Sequence, residues 1–191
     1  MNALTALLTY HNGFFRRKAD RIQFAKKLKP SLKSIDHGNR NLVIDHVIRA
    51  FCDVEVPKLM MNWDDLRQLH IQGHYIGSHT VTHCLLGTMN NEEVIKDELY
   101  QSAKKIEQHL GYFPLSISYP VGSFNQTTVR LSREVGYKIG LAVKQAVYDP
   151  SRDSCFEIPR IELYNEFWWK TRLRITNHLE QIKSLLGYAN V

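Results

Sequence analysis

The 191-residue sequence predicts an α/β fold, a parallel sheet or a partial (β/α) barrel, that follows a helical N-terminal region. From about residue 70 onward, short strand-like segments alternate with helical segments of ten or more residues. Such alternation is typical of parallel strands joined by helical crossovers. A closed barrel of this kind usually needs about eight strands and ~250 residues. The sequence offers four strand-like segments and none in its first seventy residues, so we expect a barrel that is incomplete at its N-terminal side.

The first sixty residues are expected to be helical. Apolar residues recur between Phe14 and Leu28 at helical spacing, and Pro30 is predicted to end this helix. A second helix is predicted over residues 42–51. We therefore divide the chain into a helical, insert-like segment over residues 1–60 and a larger α/β domain over residues 61–191.

Capping residues mark the helices of the larger domain. Asn62 is predicted to cap a helix with Asp64 and Asp65 in its first turn, where the helix dipole favours them. The later elements follow in order: a strand-like segment over 74–79, a helix over 92–110, a strand over 115–120, a helix over 126–135, strands over 137–143 and 156–163, and a terminal helix over 167–186. In such folds the residues that follow the strands meet at one rim, where the chemistry lies.

Two histidines in the segment GSHTVTH, His79 and His83, are the first candidates for a functional site. On a helical turn this spacing places both imidazoles on one face, close enough to hold one ion. Ser78, Thr80 and Thr82 can hydrogen-bond to such ligands. A catalytic zinc site has three protein ligands, so two histidines are not sufficient. The alternative is that both are structural in a chain that contains nine histidines.

The composition restricts the other classes of function. The net charge of +6 permits an anionic partner, but basic residues are spread along the chain, so we expect no specific nucleic-acid binding. Cys52, Cys84 and Cys155 are too few for a disulfide framework and fit a reducing compartment. The N-terminus lacks the pattern of a signal peptide, and no apolar run is long enough to span a membrane. A cytoplasmic location is the default expectation.

The segment WDDLRQLHIQGHYIGSHTVTH, together with SYPVG further along, resembles the polysaccharide deacetylases, the NodB-like proteins of carbohydrate esterase family 4. The resemblance extends from about Met61 to Leu163. It implies a deformed α/β barrel and metal-dependent removal of acetyl groups from N-acetylated sugars or polysaccharide. Residues 61–191 would then be the catalytic domain, lacking its N-terminal side. The implied cofactor is a divalent metal, with zinc expected.

The resemblance also implies roles for individual residues. His79 and His83 match the metal-binding histidines of the family. The segment containing Tyr119 and Pro120 matches the loop whose backbone N–H, here that of Val121, stabilises the oxyanion. Arg160 lies at a strand end facing the rim, where it would contact substrate or a carboxylate; a simple salt bridge is the alternative.

The aspartates of the family's first motif, which supply a base and a metal ligand, are not found in this sequence. Asp64 and Asp65 are interpreted as helix-capping residues. The pairs Asp36–His37 and Asp45–His46 are poor substitutes, and His178 lies in the terminal helix, so it is not assigned as the late catalytic histidine. Cys84 adjoins His83, but the geometry for a shared metal is poor.

Two hypotheses remain. The chain is a deacetylase, or the C-terminal portion of one whose first motif lies upstream of an internal methionine. Alternatively, it is a catalytically dead relative that binds carbohydrate or acts as a scaffold. Aromatic residues would then stack on sugars, although core packing is the preferred explanation for them: Tyr119, Phe124, Phe167, Trp168 and Trp169. An incomplete barrel also exposes strand edges, so self-association is expected.

Overall fold

The computed structural model describes residues 17–35, 37–50 and 58–179. The chain divides into two compact units, Met1–Met60 and Met61–Val191. Within the described ranges, no helix has the length and apolar character needed to cross a lipid bilayer.

The described residues of the first unit include the helices α1 (Lys18–Ser34) and α2 (His37–Ala50). The prediction that Pro30 ends the first helix is wrong, because Pro30 lies inside α1. Proline removes a single backbone donor, and the helix continues for four residues beyond it, to Ser34. Helix α2 begins five residues before the predicted start at residue 42.

The capped helices of the second unit begin and end where local sequence signals place them. Asn62 accepts from the Asp65 N–H while Asp65 accepts from the Asn62 N–H, so the predicted cap is a full capping box. Asn91 caps the long helix, which ends at Gly111 in the left-handed conformation. Between residues 61 and 179 the α-helices are α3 (Trp63–Ile71), α4 (Glu92–Leu110), α5 (Gln126–Val135) and α6 (Trp168–Ile175).

Two parallel strands, β1 (Ser116–Ser118) and β2 (Ile139–Leu141), form the centre of the sheet. Single parallel bridges extend it on both sides, from Ser78 to Ile117 and from Leu141 to Ile158. The α/β fold predicted from the sequence is confirmed, with an open sheet in place of a closed barrel. The strands predicted over 74–79 and 156–163 are reduced to these bridges.

The core of the second unit lies between the sheet and helices α4 and α5. Ile117 of β1 and Leu99 of α4 are fully buried. At 25 cal/mol per Å² of apolar surface, burying such a side chain contributes about 2 kcal/mol. The other members of the cluster are Leu86, Ile95, Ala103, Tyr119, Val129, Leu131, Tyr137 and Phe156. The core does not fill the edge of the sheet where the carboxyl ends of the strands lie, so this edge is available for a site.

The terminal helix is shorter than predicted. Helix α6 ends at Ile175, and Asn177 adopts a left-handed conformation with φ of 63°. A continuous helix over residues 167–186 is therefore wrong at Asn177, and residues 180–186 lie outside the described residues. The aromatic side chains near its start are not in the core, because Phe167 is 77% exposed and Trp168 is 71% exposed.

Candidate functional site

A cavity of about 530 Å³ lies at the rim where the strands end. His79 follows the bridge at Ser78, Val121 follows β1, and Arg160 follows the bridge at Ile158. Because carboxyl ends of parallel strands meet at one edge of a sheet, these three residues line the same cavity. The structure thus brings together one predicted metal ligand, the predicted oxyanion donor and the predicted basic residue.

The two histidine rings approach each other without a helix. Their centroids lie 5.0 Å apart in an edge-on arrangement. The expectation of a helical turn is wrong, because residues 79–83 form a loop. Thr80 and His83 adopt φ of 65° and 57°, both in the left-handed region. A left-handed conformation at a β-branched residue costs on the order of 1 kcal/mol, so surrounding contacts must hold it.

A hydrogen bond orients the ring of His79. Its Nδ1 lies 2.5 Å from the carbonyl oxygen of Ser118, at the end of β1. A carbonyl oxygen can only accept, so Nδ1 carries the proton and the neutral ring has its lone pair on Nε2. Metal-binding histidines use this arrangement, in which one nitrogen donates to a carbonyl and the other faces the ion.

Glu98 of α4, which was not among the residues predicted from the sequence, holds the loop between the histidines. Its Oε2 accepts from the N–H groups of Val81 and Thr82, both at 2.9 Å, and its Oε1 accepts from the Thr82 hydroxyl at 2.8 Å. The Thr80 hydroxyl in turn accepts from the His83 N–H at 3.0 Å. The sequence offered no local signal for this contact, because Glu98 lies 16 residues beyond Thr82 and meets the loop through tertiary packing.

Buried hydroxyl groups hold the start of the loop. Ser78 Oγ lies 2.7 Å from Ser102 Oγ and 2.7 Å from the hydroxyl of Tyr137, which also bonds to the Leu99 carbonyl oxygen at 2.9 Å. Burial raises the pKa of Tyr137 to about 12. The residue directly before His79 is therefore tied to α4 through polar groups that water does not reach.

The predicted oxyanion donor lies in a tight turn. Val121 adopts φ of 56° inside the short 3₁₀ segment Pro120–Gly122, and its side chain is half-exposed. A Cβ on Gly122 would meet the Val143 side chain, so glycine is needed for close packing there. The turn thereby places the backbone of Val121, and not its side chain, as the fixed element beside the cavity.

Tyr119 and Pro120 are both buried. The Tyr119 ring stacks on Phe124 with a centroid distance of 4.7 Å, and burial raises its pKa to about 12. Its hydroxyl points to Gly140 in the core. Tyr119 therefore contributes its backbone to the cavity wall, while its phenol supports the turn from within the core.

Arg160 is the charged side chain among the residues that line the cavity. Its Nε donates to the Ala142 carbonyl oxygen at 2.8 Å, and its N–H donates to the Lys144 carbonyl oxygen at 2.9 Å. Both bonds are made to backbone carbonyl oxygens. A salt bridge of Arg160, the alternative considered from the sequence, is not among the ion pairs of the described residues. The guanidinium adds positive charge to the cavity.

The aspartates considered from the sequence have other partners or positions in the described part of the chain. Asp65 belongs to the capping box and Asp64 pairs with Arg67, as the capping interpretation predicted. Asp45 is exposed on α2, and Asp36 lies outside the described residues. Within residues 17–35, 37–50 and 58–179, no three histidine, cysteine or acidic side chains form a metal-binding cluster.

Two further candidates have other surroundings. The His178 ring lies 2.9 Å from the Thr176 hydroxyl, in the turn after α6. Burial first, and then the negative charge of Glu98, raises the pKa of Cys84 to about 11. The thiol therefore stays protonated near neutral pH in the metal-free chain.

Comparison with solved structures supports the fold. The deacetylase PplD from Streptococcus pyogenes, solved in complex with acetate, matches with a TM-score of 0.55 and 20% identity over 60% of this chain and 50% of that one. A de-N-acetylase from Aggregatibacter actinomycetemcomitans matches with a TM-score of 0.50 and 17% identity, over 71% of this chain and 69% of that one. At these identities the likeness shows the fold, and the chain spans about half of the streptococcal protein.

Sequence comparison identifies the family. A search of curated proteins found no match. The family model for polysaccharide deacetylases matches residues 32–140, more than half of the chain, and begins earlier than the resemblance seen from Met61 onward. The chain belongs to the polysaccharide deacetylase family.

Proposed function

We propose that the chain takes part in metal-dependent hydrolysis of acetyl groups from N-acetylated sugars or polysaccharide, with His79 and His83 as metal ligands. The observation that carries the proposal is the bond from His79 Nδ1 to the Ser118 carbonyl oxygen, beside a second imidazole at 5.0 Å. If two surface histidines were close only by chance, a carbonyl at the end of a strand would not be expected to orient one of the rings.

The imidazole rings of His79 and His83 fit a zinc-type ion and would supply two of its three protein ligands. Neutral imidazole nitrogen is a preferred ligand of zinc, and His79 presents Nε2 for this purpose. The third ligand is not supplied beside this pair by the described residues. When bound, a divalent metal supplies Lewis acidity that activates water and polarises a carbonyl group.

The residues of this chain have separable roles in the proposed reaction. The Val121 N–H donates to the carbonyl oxygen of the acetyl group as negative charge develops there, at a turn whose conformation is set before substrate binds. Arg160 contacts substrate or a carboxylate in the cavity through its guanidinium, whose Nε donates to the Ala142 carbonyl oxygen. The cavity of about 530 Å³ has room for a sugar ring with its acetamide.

Metal binding tests the proposal first. The chelator-treated chain is titrated with Zn²⁺ by calorimetry, with His79→Ala and His83→Ala as variants and the exposed His74→Ala as the matched control. We expect one ion per chain, an affinity loss of about 10-fold or more in each ligand variant, and none in the control. Equal affinity in all four proteins would refute the metal site.

A second candidate function is carbohydrate binding without hydrolysis. It is favoured by the exposed aromatic side chains of Phe167, Trp168 and Trp169, which core packing was expected to bury. Acetate release from N-acetylglucosamine oligomers separates the two functions. Binding of the oligomer without acetate release, with metal bound, would favour the binding function, and acetate release that requires His79 would favour the hydrolase.

A further inference from the structure

Helix α4 presents two polar side chains, one helical turn apart, to the loop that contains the histidines. Ser102 bonds to Ser78, directly before His79. Glu98 bonds to Val81 and Thr82, between the two histidines. The helix is buried against the sheet through Ile95, Leu99, Ala103 and Ile106, so it is a rigid support for both contacts.

Glu98 uses both carboxylate oxygens in these contacts. Two consecutive backbone N–H groups converge on Oε2 at 2.9 Å, and the Thr82 hydroxyl donates to Oε1 at 2.8 Å. Consecutive N–H groups that point to one oxygen form an anion-binding arrangement, and hydrogen bonds to a charged acceptor are about twice as strong as neutral ones.

The loop requires such an external contact. Thr80 and His83 both lie in the left-handed region, which residues other than glycine seldom adopt. Within the loop, the bond from the His83 N–H to the Thr80 hydroxyl closes the turn. That bond does not attach the turn to the rest of the protein, whereas the bonds to Glu98 attach it to α4.

We propose that Glu98 is a positioning residue for the metal ligands: it holds the turn between His79 and His83, and thereby sets the metal affinity of the pair from outside the coordination sphere. This inference rests on the proposed function of the two histidines as ligands. Both carboxylate oxygens of Glu98 accept hydrogen bonds from the loop. The negative charge of Glu98 therefore stabilises the Val81 and Thr82 N–H groups and the Thr82 hydroxyl.

Replacement by glutamine separates positioning from charge. In Glu98→Gln, the amide oxygen accepts from the Val81 and Thr82 N–H groups, and the amide nitrogen donates to the Thr82 hydroxyl, which also accepts hydrogen bonds. In Glu98→Ala all three bonds are lost. Glu107→Ala is the matched control, since Glu107 lies on the same helix and pairs with Lys104 away from the loop.

Zn²⁺ calorimetry on the full chain measures the effect. We expect Glu98→Ala to weaken binding by about 10-fold to 100-fold, as for other residues that orient metal ligands, with Glu98→Gln within about 3-fold of wild type and Glu107→Ala unchanged. Thermal melting of each variant identifies loss of fold. An unchanged affinity in Glu98→Ala, or an equal loss in a folded Glu98→Gln, overturns the positioning role.

Hydrogen exchange tests the same contact without metal. In the metal-free chain, the Val81 and Thr82 amides should exchange faster in Glu98→Ala than in Glu98→Gln, and the cross-relaxation between the His79 and His83 rings should weaken. Equal exchange in both variants refutes the role of Glu98. If wild type binds no zinc but the exchange rates differ as expected, the proposed metal function fails while Glu98 still holds the loop.

Discussion

The imidazole of His79 and the carbonyl oxygen of Ser118 form the contact that joins the histidine loop to the sheet, with 2.5 Å between Nδ1 and the oxygen. Ser118 is the last residue of β1, so the ring orientation depends on where that strand ends. Because β1 is paired on both sides, to β2 and at Ser78, its carbonyl is a fixed acceptor. The ligand is thereby oriented before any ion binds.

This contact predicts the tautomer of His79. In the metal-free chain, the neutral ring should carry its proton on Nδ1, because the Ser118 carbonyl can only accept. Long-range ¹H–¹⁵N correlation spectra measure the tautomer directly. The exposed His74 serves as the control in the same spectrum and should show a mixture. A His79 ring protonated mainly on Nε2 would contradict both the contact and the availability of that nitrogen for metal.

The left-handed turn at Val121 predicts an unusual response to glycine. Val121→Gly should leave the unfolding free energy unchanged or raise it by up to about 1 kcal/mol, because strain at the β-branched residue is relieved. The matched control is Val147→Gly: Val147 is similarly exposed but has no positive φ, so its replacement should cost about 1 kcal/mol. Urea unfolding measures both, and an equal cost would show that the turn is not strained. Val121→Gly keeps the backbone N–H at this position, so any acetate release should persist.

Close packing at Gly140 predicts a large loss of stability on adding one methyl group. A Cβ there would come closer than 3.0 Å to the Tyr119 hydroxyl and to the Phe156 carbonyl oxygen. Gly140→Ala should therefore lower the unfolding free energy by about 3 kcal/mol, the upper range for overpacking. Gly73→Ala is the comparison, because its Cβ would meet open space and only its φ of +90° is unfavourable. A similar cost in the two variants would show that Tyr119 or Phe156 moves aside.

The buried phenols predict a loss of stability at alkaline pH. Burial raises the pKa of Tyr119 and of Tyr137 to about 12, whereas both titrate near 10 when the chain unfolds. Above pH 10 the unfolded state releases protons that the folded state keeps, so the unfolding free energy falls as pH rises from 10 to 12. Each tyrosine contributes on the order of 2 kcal/mol to this loss.

Urea unfolding between pH 9 and 11, with the absorbance of tyrosinate followed in parallel, checks the alkaline prediction. Tyr137→Phe should be less stable at pH 8, because the hydrogen bonds to Ser78 and Leu99 are lost, but should lose less stability as pH rises. Exposed Tyr100→Phe is the control and should follow wild type. A wild-type curve that stays flat to pH 11 would show that these phenols are accessible in the folded state.

Local signals explain the parts of the fold that could be predicted. A cap such as Asn62 or Asn91 acts on N–H groups within three residues, and Gly111 and Gly136 supply the left-handed conformation at a helix end. Pro30 shows the limit of such signals. Proline weakens a helix by removing one donor, but it does not specify where the helix ends.

The sequence by itself determined the α/β class, the helix ends marked by Asn62, Asn91, Gly111 and Gly136, and the pair of histidines, because capping, apolar periodicity and a four-residue spacing are properties of neighbouring residues. Only the tertiary structure decided how the pair is held. The carbonyl of Ser118 lies 39 residues from His79, and Glu98 lies 16 residues from Thr82. Contacts over such separations arise when strands and helices pack, and packing, not spacing along the chain, brings the two rings together in a loop.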